Sequence, residues 1–226
     1  MAKVQTITEE VYMIGGPDIT RPEDCCVYLV ETGDGMVIVD AGAGASVGSI
    51  IDNVRELGWP SRKVSSLIAT HGHIDHVGGL YELKEKLGLQ VIAHELELPA
   101  IEEGLSQLTA DYLYGLKYRS VKVDLVLREK EAVLEIGGQK FHCLHTPGHT
   151  PGSISVYVDK GGERILFGQD IHGPFSRSWG SDRRQWRESM LRLLELEADV
   201  LCEGHFGVYR PREEVRAYIE GYLKRF

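Results

Sequence analysis

Apolar positions along the chain alternate between a spacing that fits strands and one that fits helices. Residues 11–14, 25–31 and 36–40 are short apolar runs, the length expected of strands buried on both faces. Thr32-Gly33-Asp34-Gly35 joins the last two and carries a Gly-rich hairpin signal. Over 46–57, Val47, Ile50, Ile51 and Val54 share one helical face, and Gly58 and Pro60 end the pattern. Residues 64–70 read as a buried strand that runs straight into His71. A helix over 80–87 stops at Gly88, and 90–94 is the next strand.

Residues 95–118 carry Leu98, Ile101, Leu105, Leu108, Tyr112 and Leu116, a spacing that predicts two helices, as an insertion. Three antiparallel strands are expected next, at 123–127, 133–136 and 139–145, with Gly137-Gly138 turning between the last two. Strands at 153–158 and 164–167 flank the turn Lys160-Gly161-Gly162. An amphipathic helix over 184–197, a short strand at 200–202 and a closing helix over 211–226 complete the chain. The order recurs loosely in the second half. It predicts an α/β fold with two mixed sheets covered by helices on their outer faces, built as one domain over 1–226.

Composition narrows the function. With 226 residues, 42% of them hydrophobic, the chain can bury one sizeable core. A net charge of −9, with Lys and Arg scattered among Asp and Glu, argues against a nucleic-acid partner. No apolar run approaches the roughly 20 residues that span a bilayer. Residues 1–10 are mixed and polar, so no membrane partner and a cytoplasmic location are expected. Cys25, Cys26, Cys143 and Cys202 fit no disulfide framework and read as small buried residues.

The chemistry concentrates in His71-Gly72-His73-Ile74-Asp75-His76. Imidazole nitrogen and carboxylate oxygen are ligands for zinc, manganese or iron. The two-residue spacing of His71 and His73 lets both rings point one way on extended backbone, and Asp75 and His76 follow as the chain bends. His149, in Thr146-Pro147-Gly148-His149-Thr150-Pro151-Gly152, Asp170 and His205 each follow a predicted strand. His172, Arg177 and Trp179 lie just beyond Asp170 and are candidate substrate contacts. Tyr112, Tyr114 and Tyr118 could form a lid or a surface between two copies. His94, His142 and His145 read as structural.

Taken together, Val39-Asp40-Ala41-Gly42, the His71–His76 element, His149, Asp170 and His205 resemble the metallo-β-lactamase superfamily, in order, through nearly the whole chain. The resemblance implies a four-layer αββα sandwich and two divalent metal ions, zinc first, with iron or manganese as alternatives. His71, His73 and His149 would hold one ion and Asp75, His76 and His205 the other, with Asp170 bridging and Asp40 supporting the ligands from behind. Two such ions about 3.5–4 Å apart generate hydroxide near neutral pH. Asp75 is then the candidate proton carrier.

The resemblance implies hydrolysis of a small ester, thioester or lactone. Glyoxalase II enzymes share the ligand set but carry a glutathione-gripping extension, whereas twenty-one residues follow His205 here. Lactonases place a Tyr after the bridging Asp, where this chain has Ile171-His172-Gly173. One alternative is a dioxygenase resembling the persulfide enzymes, with a single iron on His71, His149 and Asp170. Another is a metal-binding sensor without turnover.

Overall fold

The computed structural model describes residues 4–58, 60 and 63–226. Two sheets face each other. The first has seven strands in chain order: β1 (Gln5–Thr8), β2 (Val11–Gly15), β3 (Val27–Glu31), β4 (Gly35–Val39), β5 (Lys63–Ile68), β6 (Gln90–His94) and β7 (Leu125–Leu127). It is antiparallel through β4 and parallel from β4 to β7. The second runs β13 (Val208–Tyr209), β12 (Val200–Glu203), β11 (Glu163–Gln169), β10 (Ile154–Lys160), β9 (Gln139–His145), β8 (Glu131–Ile136).

Strand alternation divides the apolar residues among three layers of core. On β4, Met36 and Ile38 pack outward with α1 (Val47–Glu56), while Val37 and Val39 face the second sheet. On β11 and β12, Ile165, Phe167, Val200 and Cys202 point into that same middle layer. Leu166 and Leu201 pack outward against α7 (Arg183–Glu195) and α8 (Arg212–Arg225). A period-two pattern that is apolar at both phases can satisfy this arrangement only between two covers. Helices α1 and α3 (Leu80–Leu87) cover one side and α7 and α8 the other, giving the expected αββα sandwich. All four cysteines are free and buried. Among the described residues no helix is long and apolar enough to cross a membrane.

Three expectations need correction. Strand β7 covers only the end of 123–127 and pairs parallel to β6, not antiparallel to β8. Asp124 holds it there: its backbone N–H donates to Val91 O at 2.8 Å, and its carboxylate accepts from Val91 N and Lys84 Nζ. Residues 95–118 do not make two helices. They break into a 3₁₀ turn (Glu95–Glu97) and three single turns, α4 (Leu98–Ile101), α5 (Ser106–Thr109) and α6 (Asp111–Tyr114). Left-handed backbone at Gly104, Ala110 and Gly115 stops each turn from continuing. Strands β1 and β13 were not expected; both are short edge strands with only partial burial.

Topology explains where the chemistry sits. Strands β4 and β5 are parallel, as are β11 and β12, and β9 shares the direction of β11 because both oppose β10. Asp40, His71, His149, Asp170 and His205 all lie in the loops beyond the C-terminal ends of these strands. Such ends are where open α/β sheets collect their ligands.

Candidate metal centre

The loop after β5 turns into the single helical turn α2 (Ile74–Val77), with His73 still extended at its start. His71, His73, Asp75 and His76 are all buried, as are His149 and Asp170. His205 keeps partial exposure at the mouth. Ligand-capable atoms of His71, His73, His149 and Asp170 lie within 4.8 Å of one another, and so do those of Asp75, His76 and His205. All seven residues singled out as ligands therefore converge.

The hydrogen bonds on the outer side of His71, His76 and His149 show which nitrogen of each faces inward. His149 Nδ1 is 2.9 Å from the carbonyl of Pro174, which can only accept, so that nitrogen carries the proton. His76 Nδ1 is 2.8 Å from Asp40 Oδ2, again an acceptor. Thr70 Oγ1 donates to Asp40 Oδ2 at 2.8 Å and sits 3.2 Å from His71 Nδ1. His71 thus donates outward as well. The inner nitrogens crowd together: His149 Nε2 and His73 Nδ1 at 2.9 Å, His71 Nε2 and His73 Nδ1 at 3.1 Å, His76 Nε2 and His205 Nε2 at 3.3 Å. Among the neutral rings of His71, His73 and His149, lone pairs aimed at one another across such distances repel unless a cation or proton lies between them. The donor set fits divalent metal.

Charge states agree with that fit. Burial, with the neighbouring imidazoles, holds His71 well below its usual range. Burial lowers His73 to about 3 and His149 to about 4, so these three rings are neutral ligands at pH 7. Burial alone would raise Asp75 and Asp170. The surrounding histidines outweigh it, holding Asp75 at about 2 and Asp170 well below the carboxylate range. For His205, Asp170 and hydrogen bonds to both carboxylates overcome burial and lift the pKa to about 10. Against burial, Cys25 and then the carboxylates of Asp170, Asp40 and Asp75 raise His76 as well.

Asp40 lies behind the cluster, bonded to Thr70 and His76. It adopts φ +63° just past β4, a conformation Asp tolerates better than most residues. From there Oδ1 accepts the Thr70 backbone N–H at 2.8 Å, while Oδ2 serves Thr70 Oγ1 and His76. Gln169, at φ +51°, works similarly for Asp170, its side chain accepting the Asp170 backbone N–H at 2.7 Å. At Gly204 an added Cβ would run into Asp170 Oδ1. Cys25 lies near Asp40 and His76, but burial raises its thiol far above neutrality and leaves it a poor ligand.

Two buried glutamates were not foreseen from the sequence. Glu97 is 3% exposed. Its Oε2 accepts the Gly72 N–H at 2.7 Å, and its Oε1 accepts the Gly152 N–H at 2.7 Å and Thr150 Oγ1 at 2.6 Å. One carboxylate thus fastens the His71–His76 loop of the first sheet to the His149 loop of the second. Burial pushes its pKa up, and the three donors oppose that. Glu203 is fully buried. Its Oε2 accepts the backbone N–H groups of His205 and Phe206, and its Oε1 meets His172 Nδ1 at 2.9 Å. Neither residue stands in a motif, and only burial distinguishes them from surface glutamates.

A pocket of about 520 Å³ opens over the centre. Pro17, Ala110, Leu113, Tyr114, Pro174, Trp179 and Phe206 wall it beside His73, Asp75, Asp170, His172 and His205. His172 and Trp179 therefore reach the site as expected. Arg177 does not: it is exposed and lines a separate hollow with Phe175, Ser181 and Arg183. The 3₁₀ turn Arg177–Trp179 gives the two residues opposite directions, Trp179 lying edge-on to His73 at 5.0 Å between centroids. Tyr114 arrives from the insertion with its hydroxyl against Asp75, and burial keeps that phenol protonated. Tyr118 instead packs into the core. His94 stacks on His145 and His142 on Tyr157, and none of these three histidines lines the pocket.

A family model of the metallo-β-lactamase superfamily matches residues 20–205. The probable metallo-hydrolase YflN of Bacillus subtilis is 28% identical over 208 residues, covering 79% of this chain and 78% of that protein. The hydroxyacylglutathione hydrolase GloC of Haemophilus influenzae is 28% identical over 197 residues, covering 84% of this chain and 89% of GloC. In three dimensions, a metallo-β-lactamase of Cronobacter sakazakii with a HARLDQ motif superposes with a TM-score of 0.81 at 22% identity. That match covers 99% of this chain and 92% of the other.

Glu97→Gln should test the clamp between the two loops. An amide can accept from Gly72 or from Gly152 but must turn its NH₂ group against the other donor. The expected cost is about 1–3 kcal/mol in urea denaturation, with weakened metal retention; wild-type values of both would refute the role. Because His76 and His205 are protonated in the metal-free protein, metal uptake at pH 7 should release protons. Affinity should then rise with pH towards about 10, where His205 loses its proton unaided. Calorimetry in two buffers of different ionisation enthalpy checks this, and uptake without proton release would contradict it.

Proposed function

The chain belongs to the metallo-β-lactamase superfamily, and on that premise we propose that it is a binuclear metal-dependent hydrolase of a small ester, thioester or lactone. The observation that carries the proposal is the division of Asp170 between two donor groups. Its Oδ2 lies 3.3 Å from His149 Nε2, while its Oδ1 lies 3.1 Å from His76 Nε2 and 3.4 Å from His205 Nε2. A carboxylate so placed suits a bridge. His71, His73 and His149 would hold one ion, and Asp75, His76 and His205 the other. Their nitrogen and oxygen donors suit zinc, with iron or manganese also compatible.

Two divalent ions bound there would supply Lewis acidity and a water acidic enough to give hydroxide near neutral pH. The remaining work falls to the chain. Asp75, ionised and 3.2 Å from His205 Nε2, can take the proton from the attacking water and return it to the leaving atom. The Tyr114 hydroxyl lies beside that carboxylate on the pocket wall. Asp40, Glu97 and Glu203 hold the loops so that the donors need not reorganise when charge develops. Trp179 and His172 border the space for substrate.

A mononuclear iron site on His71, His149 and Asp170 would leave Asp75, His76 and His205 converged without a task, so two ions are favoured. The likeness to GloC puts thioesters on the test panel beside esters and lactones. His71→Ala and Asp170→Ala should each abolish hydrolysis, by 10²-fold or more as an order of magnitude for lost metal chemistry, and lower the metal content. Full activity with full metal occupancy in either variant would sink the assignment. Failure of the metal-loaded wild type on every panel member would favour a sensor.

A further inference from the structure

We infer that the pocket is built for an uncharged substrate with an apolar acyl group, and that it discriminates against substrates bearing a carboxylate on that group. The inference rests on the hydrolase reading and names its substrate class.

Among the described residues, no Lys or Arg lines the pocket over the metal centre. The cations around the insertion and around Trp179 lie in other hollows. Arg119 stacks on Tyr81, its guanidinium carbon 3.3 Å from the ring centroid, and shares a different hollow with Lys117. Arg183 lies over Phe175 and Phe226, and Arg177 is in the hollow beside them. A substrate carboxylate held away from the metals would thus lose its water without gaining a counter-charge, an unfavourable exchange.

The walls instead offer apolar surface. Leu113 and Phe206 are 60% and 57% exposed, and they flank the mouth with Ala110, Pro17 and Pro174. Exposed apolar side chains gathered around a reactive centre are what an acyl chain would cover. The polar groups on the walls include no ammonium or guanidinium: His172 Nδ1 meets Glu203 Oε1 at 2.9 Å, and the Tyr114 hydroxyl lies beside the Asp75 carboxylate. They cannot replace a guanidinium in binding a carboxylate.

The test uses two esters that differ only at the far end of the acyl chain. 4-Nitrophenyl valerate ends in a methyl group and 4-nitrophenyl hemiglutarate in a carboxylate. With the zinc-loaded protein, kcat/KM for the valerate should exceed that for the hemiglutarate by about tenfold or more, the order expected when a charge is desolvated without a partner. Leu113→Arg, at an exposed position on the pocket wall, should narrow or reverse the ratio by improving the hemiglutarate. Calorimetric titration with the matching 4-nitroanilides gives a readout independent of turnover, and the neutral one should bind at least fivefold tighter. Equal kcat/KM values for the two esters, or equal binding of the two anilides, would overturn the inference and leave the hydrolase reading intact. Hydrolysis of neither ester with the anilides still discriminated would support the inference and count against the hydrolase reading.

Discussion

Five loops must bring imidazole lone pairs and ionised carboxylates into one small volume, and the neutral rings of His71, His73 and His149 repel one another until a cation arrives. His149 Nε2 and His73 Nδ1 stand 2.9 Å apart, with the Asp170 carboxylate beside them. The rest of the structure answers that repulsion. Glu97 ties the first sheet's ligand loop to the second sheet's by accepting from Gly72, Gly152 and Thr150. Asp40 fixes Thr70 and His76, and Glu203 fixes His205 and His172. Hydrogen bonds to charged groups in a dry interior contribute about 1.5–3 kcal/mol each. A handful of them can therefore hold an arrangement that its own electrostatics oppose.

The sandwich makes those clamps possible. The middle core layer, filled by residues such as Val37, Val39, Phe141 and Phe167, sets the spacing between sheets, and the parallel strand pairs present their loops at one edge. Backbone at positive φ in Asp40 and Gln169 lies next to ligand positions. Strain of that kind persists where surrounding bonds over-determine it. Both residues spend their side chains on a neighbouring backbone N–H. The site is thus preorganised by residues that do not themselves face the pocket.

Much of this was legible in the sequence, for physical reasons. Strands buried on both faces show as continuous apolar runs, so β3, β4 and β5 were visible, and the candidate metal ligands show because His and Asp cluster at strand ends. Glu97 and Glu203 were not, because a buried acceptor of backbone N–H groups looks like any surface glutamate until tertiary contacts exist. The 95–118 segment misled because Leu and Tyr at helical spacing outweighed Gly104 and Gly115, and because the left-handed turn at Ala110 has no sequence signal. Arg177 misled for a related reason: one 3₁₀ turn sends it and Trp179 to different hollows. Strand β7 was visible as a strand, but its partner was fixed by Asp124, a long-range contact.

Elemental analysis of the purified protein, paired with ester hydrolysis assayed with and without O₂, tests the central claim most directly. Two divalent ions per chain and a hydrolysis rate indifferent to O₂ are the predicted result. One iron per chain, with turnover that requires O₂, would contradict the binuclear hydrolase account.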